Sequence, residues 1–384
     1  MNTTSTRLSV IAATDEHATM LAEFFRVVWN ATGTAQDVLV SRQQAAASNP
    51  VEPGVHPPTI IALQQDRVIG YCSSLPVRHW DGESERGGYW AKGLMVLPEF
   101  RNGPVGAHVL KSLTRAMPLA SSVTVASGSK RLFGALGYTP FGAMGNFLRP
   151  LRIGPLLEKL DPSLLALGPL PSWAPKALQL LRDVKLAGIS GALGTAGLSC
   201  LEAVRGRSRD RVDRIAAPDP AELEALWRRV STGIAAGPVR DADALLTRYA
   251  SVDAGAQYHF AFARRAGQPV GLAIVREPGE TGDARLQGIR VACFSDFLFD
   301  PRDRDAAAAT IRAGITMATE LKADAVIASA SHQAAVAALR RQLFVPLGGT
   351  IHFFLRDDAQ QGRWPATLDT WWLTRGDGYS DQSF

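Results

Sequence analysis

MVLPEFRNGPVGAHVL, residues 95–110, runs from an apolar stretch through a polar loop into a helical pattern. A strand ends near Val96 and a helix opens near Pro104. The first amides of a helix have no partners inside it, and the helix dipole adds partial positive charge there. Such a junction attracts phosphate or diphosphate. Arg101 contributes a charged fork, and Gly103 and Gly106 let the backbone approach a ligand closely. Pro104 stands where this kind of loop usually carries glycine, and it has no amide hydrogen. A charge-assisted hydrogen bond is worth about 1.5–3 kcal/mol, so its loss weakens binding by roughly 10- to 100-fold. Proline nevertheless suits the first helical position. The amides of Asn102, Gly103, Val105, Gly106 and Ala107 remain, which leaves the loop altered but usable. Taken by its residues alone, the stretch also fits an ordinary strand–loop–helix junction with proline as the starter.

The flanking sequence supplies a mixed α/β pattern. SVIAA (9–13) reads as a strand, Thr14 as an N-cap, and the next helix sets Leu21, Phe24, Phe25 and Val28 on one face. Residues 59–77 read as two strands joined by a polar turn at 64–67, and 89–97 as a third. A helix over 104–117, a strand at VTVA (123–126) and a short helix over 130–136 follow. The pattern then recurs. LPEFRNGPVGAHVL (97–110) aligns with DPRDRDAAAATIRA (300–313), LGYTPFG (136–142) with QLFVPLG (342–348), and VIGYC (68–72) with PVGLA (269–273). NFLRP (146–150) likewise resembles FFLRD (353–357). Pro98 and Pro301 stand 203 positions apart, Pro140 and Pro346 206, and Gly70 and Gly271 201. Ordered matches at near-constant spacing predict a duplicated unit of about 150 residues.

On these residues the chain resembles the GCN5-related N-acetyltransferase (GNAT) superfamily, most of all its tandem members of the enhanced-intracellular-survival type. The phosphate-binding signature stands here as MVLPEFRNGPVGA, and SGSKRLFGALGYTPFG (127–142) is similar to the second conserved region. The resemblance implies an α/β fold of tandem GNAT-like units, each a mixed, mostly antiparallel central sheet flanked by helices. It divides the chain into an acyl-CoA-binding unit at 1–150, a helical connector at 151–215, a degenerate unit at 216–360 and a tail at 361–384. It further implies acetyl-CoA or another acyl-CoA as co-substrate. Leu94, Met95 and Val96 would lie along the pantetheine and thioester, with Arg101, Asn102, Gly103, Val105, Gly106 and Ala107 around the diphosphate. The acceptor would be an amine of a small molecule or an amino-sugar precursor. In the second unit, alanines replace the glycines and Asp303 and Asp305 repel a diphosphate, so that copy is expected not to bind CoA.

Catalytic groups are less marked. The position matching the family's thiolate-protonating tyrosine is Phe133, which cannot donate a proton. Tyr138 is the nearest phenol and the candidate catalytic residue, although its own match is an aromatic that packs in cores. Lys92 lies on the third strand, while Asp81, Glu83 and Glu85 read as a solvated loop. Glu99, His79 and His108 read as isolated side chains, and Asp377 and Tyr379 in the tail have no visible target. Trp371 and Trp372 fit tail docking better than a sugar platform.

Bulk properties bound the rest. At 384 residues, two domains is the default expectation, and 46% hydrophobic with 20% charged residues is an ordinary globular composition. The net charge of +5 mildly favours anionic ligands and is too small to argue for nucleic acid. Cys72, Cys200 and Cys293 are far apart with no ligand spacing, which predicts no disulfide framework, no metal and a reducing cytoplasm. The uncharged stretch 186–201 is short for a membrane span and glycine-rich, so packing inside the protein is favoured over peripheral membrane contact. There is no GxSxG, Walker loop or HExxH. Two other readings stand beside the transferase: a non-catalytic acyl-CoA-binding scaffold, and a tandem transferase using aminoacyl-tRNA, which the Arg101 loop opposes.

Overall fold

Two arrangements of mixed sheet organise the chain in a computed structural model, which describes residues 8–123, 127–159, 179, 210–250, 257–279, 286–347, 351–360 and 362–381. The chain divides into one unit of residues 1–142 with 352–363 and another of 143–351 with 364–384.

The first unit starts with β1 (Leu8–Ala12), α1 (Ala18–Trp29) and α2 (Ala35–Ala47). Next come β2 (Thr59–Gln64), β3 (Arg67–Trp80) and β4 (Glu85–Val96), an antiparallel run in which β1 pairs β2, β2 pairs β3 and β3 pairs β4. The helix α3 (Val105–Arg115) then carries the chain back to β5 (Leu119–Ser122), which lies parallel to β4. α4 (Lys130–Ala135) and β6 (Thr139–Pro150) end this stretch. α3 buries Val105, Val109, Leu110 and Leu113, a one-sided stripe of the kind that glues a helix to a sheet. Each such side chain contributes about 1.5–3 kcal/mol on burial. Gly70 on β3 permits the seat: an added Cβ would come within 2.6 Å of Val105 Cγ1.

In the second unit α5 (Ile153–Lys159) and β7 (Arg211–Ile215) precede α6 (Pro220–Ser231), the two-residue β8 (Gly237–Pro238) and α7 (Ala242–Tyr249). β9 (Tyr258–Arg265), β10 (Gln268–Gly279) and β11 (Val291–Phe299) form antiparallel pairs. α8 (Arg304–Glu320) crosses to β12 (Ala325–Ala330), parallel to β11, and α9 (Gln333–Arg341), β13 (Val345–Pro346) and β14 (Ile351–Asp357) follow. Apart from the two-residue strands β8 and β13, the order strand, two helices, three strands, helix, strand, helix, strand occurs in both halves of the chain.

The boundaries differ from the sequence expectation at both last strands. β6 forms its ladder with β12 from Ala325↔Pro150 to Ala330↔Gly145, so residues beyond Gly142 belong to the second unit. β14 pairs β5 from Phe354↔Ser122 to Asp357↔Leu119, which puts 352–363 in the first. The tail is integral to the second unit, with Trp371 and Trp372 buried and the Trp372 indole donating to the Phe297 carbonyl (3.1 Å). Arg240, itself buried, holds Asp296 and the tail's Asp377 at 2.9 Å each. Of the expected helical connector at 151–215, residues 160–178 and 180–209, and with them the stretch 186–201, lie outside the described residues. No described helix is long and apolar enough to cross a membrane.

Candidate functional site

β4 changes partners along its length. Beside β5 it pairs only at Tyr89↔Ala120 and Trp90↔Ser121, and no described residue of β5 pairs with it beyond that point. Its other edge stays on β3 as far as Gly70↔Val96, but the register slips between Ser73↔Lys92 and Tyr71↔Met95. One extra residue is inserted there, a β-bulge at Gly93–Leu94, and Gly93 takes φ +67°, a conformation side chains resist. The Leu97 amide donates to the Ile69 carbonyl at 3.0 Å on the β3 side. Strand alternation therefore turns the amides of Val96 and Leu94 to the unpaired edge, with Met95 between them facing β3.

Past the strand, Pro98–Phe100 makes one 3-10 turn and the chain reaches α3 with Pro104 as its N-cap, not its first helical residue. The amides of Asn102, Val105, Gly106 and Ala107 donate to no acceptor among the described residues. Gly103 is a correction: its amide donates to the Phe100 carbonyl (3.0 Å), closing the turn, so it is not free for a ligand. Arg101 is exposed, and its Nε donates to the Val96 carbonyl at 3.2 Å, fastening the guanidinium to the open strand edge. The unpaired strand edge and the helix start thus present two sets of donors, separated by a turn whose amides at Leu97, Phe100, Arg101 and Gly103 are taken, with a cation alongside. That arrangement suits an extended ligand with carbonyls at one end and phosphates at the other.

An aromatic cluster stands over the bulge. Tyr71 lies 5.0 Å from Phe25 and 5.8 Å from Trp29 between ring centroids, and a Cβ on Gly93 would touch both Tyr71 and Trp29. Tyr71 also lines a cavity of about 250 Å³ with Phe25, Thr34, Asp37, Arg42 and Thr59. Asp37 completes the cap that Thr34 places on α2, and the amide and hydroxyl of Thr34 hold its carboxyl below the ordinary range.

No protein-family model matches the chain, and no curated protein does. Solved structures match its fold over nearly its full length. The N-myristoyltransferase of Saccharomyces cerevisiae, solved with bound myristoyl-CoA, aligns with a TM-score of 0.56 at 12% identity over 93% of this chain and 84% of that one. A probable N-acyltransferase of Enterococcus faecalis V583 gives 0.55 at 10% identity, covering 92% and 73%. A GCN5-related N-acetyltransferase of Anabaena variabilis gives 0.54 at 13%, also covering 92% and 73%.

The chain has the GNAT fold.

Within this GNAT fold Tyr138 is a core residue, contrary to the sequence expectation. It is 3% exposed, edge-on to Phe133 at 4.9 Å, and its hydroxyl sits 3.4 Å from Thr114 Oγ1. Burial pushes its phenol up to about 12, against a smaller opposing effect of Thr114, so it holds its proton firmly inside the core. Phe133 is buried beside it. Asp81 is likewise not a solvated loop residue: burial raises its pKa, but the Ser84 amide and Arg86 outweigh this and hold it at about 2. His79 is fully buried, against Ser121 at 3.1 Å, and burial drives its imidazole down to about 3. His108 is exposed on α3, and Glu99 pairs with Arg67 at 3.0 Å on the surface. The bulge and the aromatic cluster escaped sequence reading. The available signal was Gly93 inside the strand pattern YWAKGLMV, since glycine in a strand marks a bulge. Among the described residues no group of His, Cys, Asp and Glu could hold a metal.

Proposed function

We propose that the protein is an acyl-CoA-dependent N-acyltransferase, in our reading an acetyltransferase, acting on an amine of a small molecule or amino-sugar precursor. The observation that carries the reading is the pairing of two sets of free amides, Leu94 and Val96 on the strand edge and Val105, Gly106 and Ala107 at the helix start, with Arg101 beside them. Solved structures of the same fold with bound myristoyl-CoA support an acyl-CoA as donor. The β4 amides would stabilise negative charge on the thioester oxygen, and the loop amides with Arg101 would hold the diphosphate. The amine nitrogen bonds to the acyl carbon, the carbon–sulfur bond breaks, and the amine gives up a proton. Thiols titrate near 8.5, so the leaving thiolate needs no strong acid, and the proton shed by the amine is enough to neutralise it. This removes the need for Tyr138. The Phe25–Trp29–Tyr71 wall would form the apolar side of the acceptor site.

We infer that the chain arose by duplication and that its second unit does not bind CoA. Asp303 caps α8 by accepting from the amides of Asp305 and Ala306, so the second unit's own carboxylate fills the place of a phosphate. Buried free thiols at Cys72 and Cys293 favour the reducing cytoplasm, and we expect no nucleic-acid partner.

Purified protein incubated with acetyl-CoA and an amine panel, including amino sugars, while free thiol is followed, tests the reading. Amine-dependent thiol release supports it. Burial of both Phe133 and Tyr138 favours a second reading, an acyl-CoA-binding scaffold. CoA binding without turnover on any amine selects the scaffold. A parallel run with myristoyl-CoA decides chain length.

A further inference from the structure

A second cavity lies wholly within the second unit, between α8 and α9, with a volume of about 460 Å³. That is the size of an ordinary small-ligand pocket. Because β11 and β12 run parallel and each is followed by one of these helices, both helix starts lie at the carboxyl ends of the strands, where α/β sheets place ligands. Arg302, Arg304 and Arg341 line the cavity with His332, and no carboxylate does. Arg302 is already neutralised, bidentate to Asp300 at 2.8 Å. Arg304 and Arg341 have no ionic partner among the described residues. His332 Nδ1 accepts from the Ala334 amide at 3.2 Å, which fixes Nε2 as the donor nitrogen.

The walls between these groups are alanines of α8 and α9, notably Ala308, Ala334 and Ala337, so the floor is apolar and free of long side chains. A flat or apolar body can lie on it. The anion it bears has limits as well. Asp303 occupies the first amides of α8 and pairs with Arg265 at 2.8 Å, so a diphosphate cradled on that helix start would meet a carboxylate. The cavity therefore has the charge for one phosphate held by guanidinium forks, and an apolar surface for what the phosphate is attached to.

We propose that the second unit binds a phosphomonoester with a planar or apolar body in this cavity, through Arg304, Arg341 and His332. This inference does not depend on acyl-CoA binding by the first unit.

Phenyl phosphate titrated into the full-length protein by calorimetry is the test, with inorganic phosphate as the comparison. The expected result is saturable one-to-one binding, at least tenfold tighter than inorganic phosphate. The double variant Arg304→Ala, Arg341→Ala, changed only at exposed positions, should weaken it at least tenfold. Ala337→Trp, which fills the floor from another exposed position, should do the same while leaving the charges in place. Gly106→Glu in the first unit should leave phenyl phosphate binding unchanged. No saturable binding, equal affinity for inorganic phosphate, or indifference to either second-unit variant overturns the proposal. Loss on Gly106→Glu instead transfers the ligand to the first unit's loop and overturns it too.

Discussion

Gly106→Glu separates binding from folding at the loop that carries the functional reading. Gly106 lies in the first turn of α3, one residue past Val105, and its amide is free. A Cβ there would stand 3.3 Å from Val96 Cγ2, a tight contact that a shift of a few tenths of an ångström relieves. Glycine is about 1 kcal/mol poorer than ordinary helix formers. A carboxylate in the first turn gains a further 0.3–1 kcal/mol or so from the helix dipole. Stability should therefore stay level or rise by up to about 1 kcal/mol. Binding moves the other way. At about 6 Å and an effective dielectric of about 40, each pair of like charges costs about 1.4 kcal/mol. A diphosphate carries two such charges, so CoA affinity should fall roughly a hundredfold. Calorimetric titration with CoA reads the affinity, and urea unfolding reads the stability. Raising the salt should recover part of the loss, and Gly106→Gln, with the bulk and no charge, should lose less. A variant that is folded and binds CoA within twofold of the parent refutes the placement of the diphosphate on this helix start.

Three further perturbations follow from the same geometry. Pro104→Gly restores the missing donor and should tighten CoA binding roughly 10- to 100-fold by calorimetry, at a cost of about 0.4–1 kcal/mol in urea unfolding; equal or weaker binding places the lost amide off the ligand. Tyr138→Phe gives up only a 3.4 Å contact to Thr114 and should keep kcat within twofold, with a stability loss of about 1 kcal/mol; a tenfold fall in kcat at constant KM returns the acid role to Tyr138. His79 is held near 3 by burial against 6.5 when unfolded, so the unfolded chain takes up protons that the native state refuses, and stability present above pH 6.5 is lost as pH falls towards 3. Between pH 7 and pH 5 this amounts to about 2 kcal/mol, and His79→Phe should remove that much of the acid limb; superimposable stability–pH curves for the two proteins count against it.

The parts of the first unit that sequence made legible are those with one buried face. β2, β3 and their turn, α1, α3 and α4 fall where alternation and helical spacing put them. α2 was invisible because its only buried residue is Ala46, so it carries no apolar stripe. Its signature was the reciprocal cap between Thr34 and Asp37. The strand expected at VTVA is set earlier, at Leu119–Ser122, where LASS is buried on both faces and shows no alternation. Residues 124–126 lie outside the described residues. At the site, side-chain chemistry announced Arg101 and the glycines, whereas Gly103's engagement depends on a backbone hydrogen bond that no residue type specifies.

The last strands of the two repeats carry a further lesson. NFLRP and FFLRD are alike, and the arginine they share donates to a helix-end carbonyl in each case, on helices that do not correspond. Arg149 of β6 donates to the Gln342 carbonyl at the end of α9, and Arg356 of β14 donates to the Thr114 carbonyl in the last turn of α3 (2.7 Å). Both carbonyls lie at the C-terminal end of a helix, where positive charge is favoured by the dipole. Burying a guanidinium in this way is costly unless it is paired, so the arginine is dictated by the seat it fills. Each pairs with a strand from the other half of the sequence, β6 with β12 and β14 with β5. A local match therefore identifies two strands as alike, while the choice of sheet rests on long-range pairing, which a short segment read by itself does not reveal.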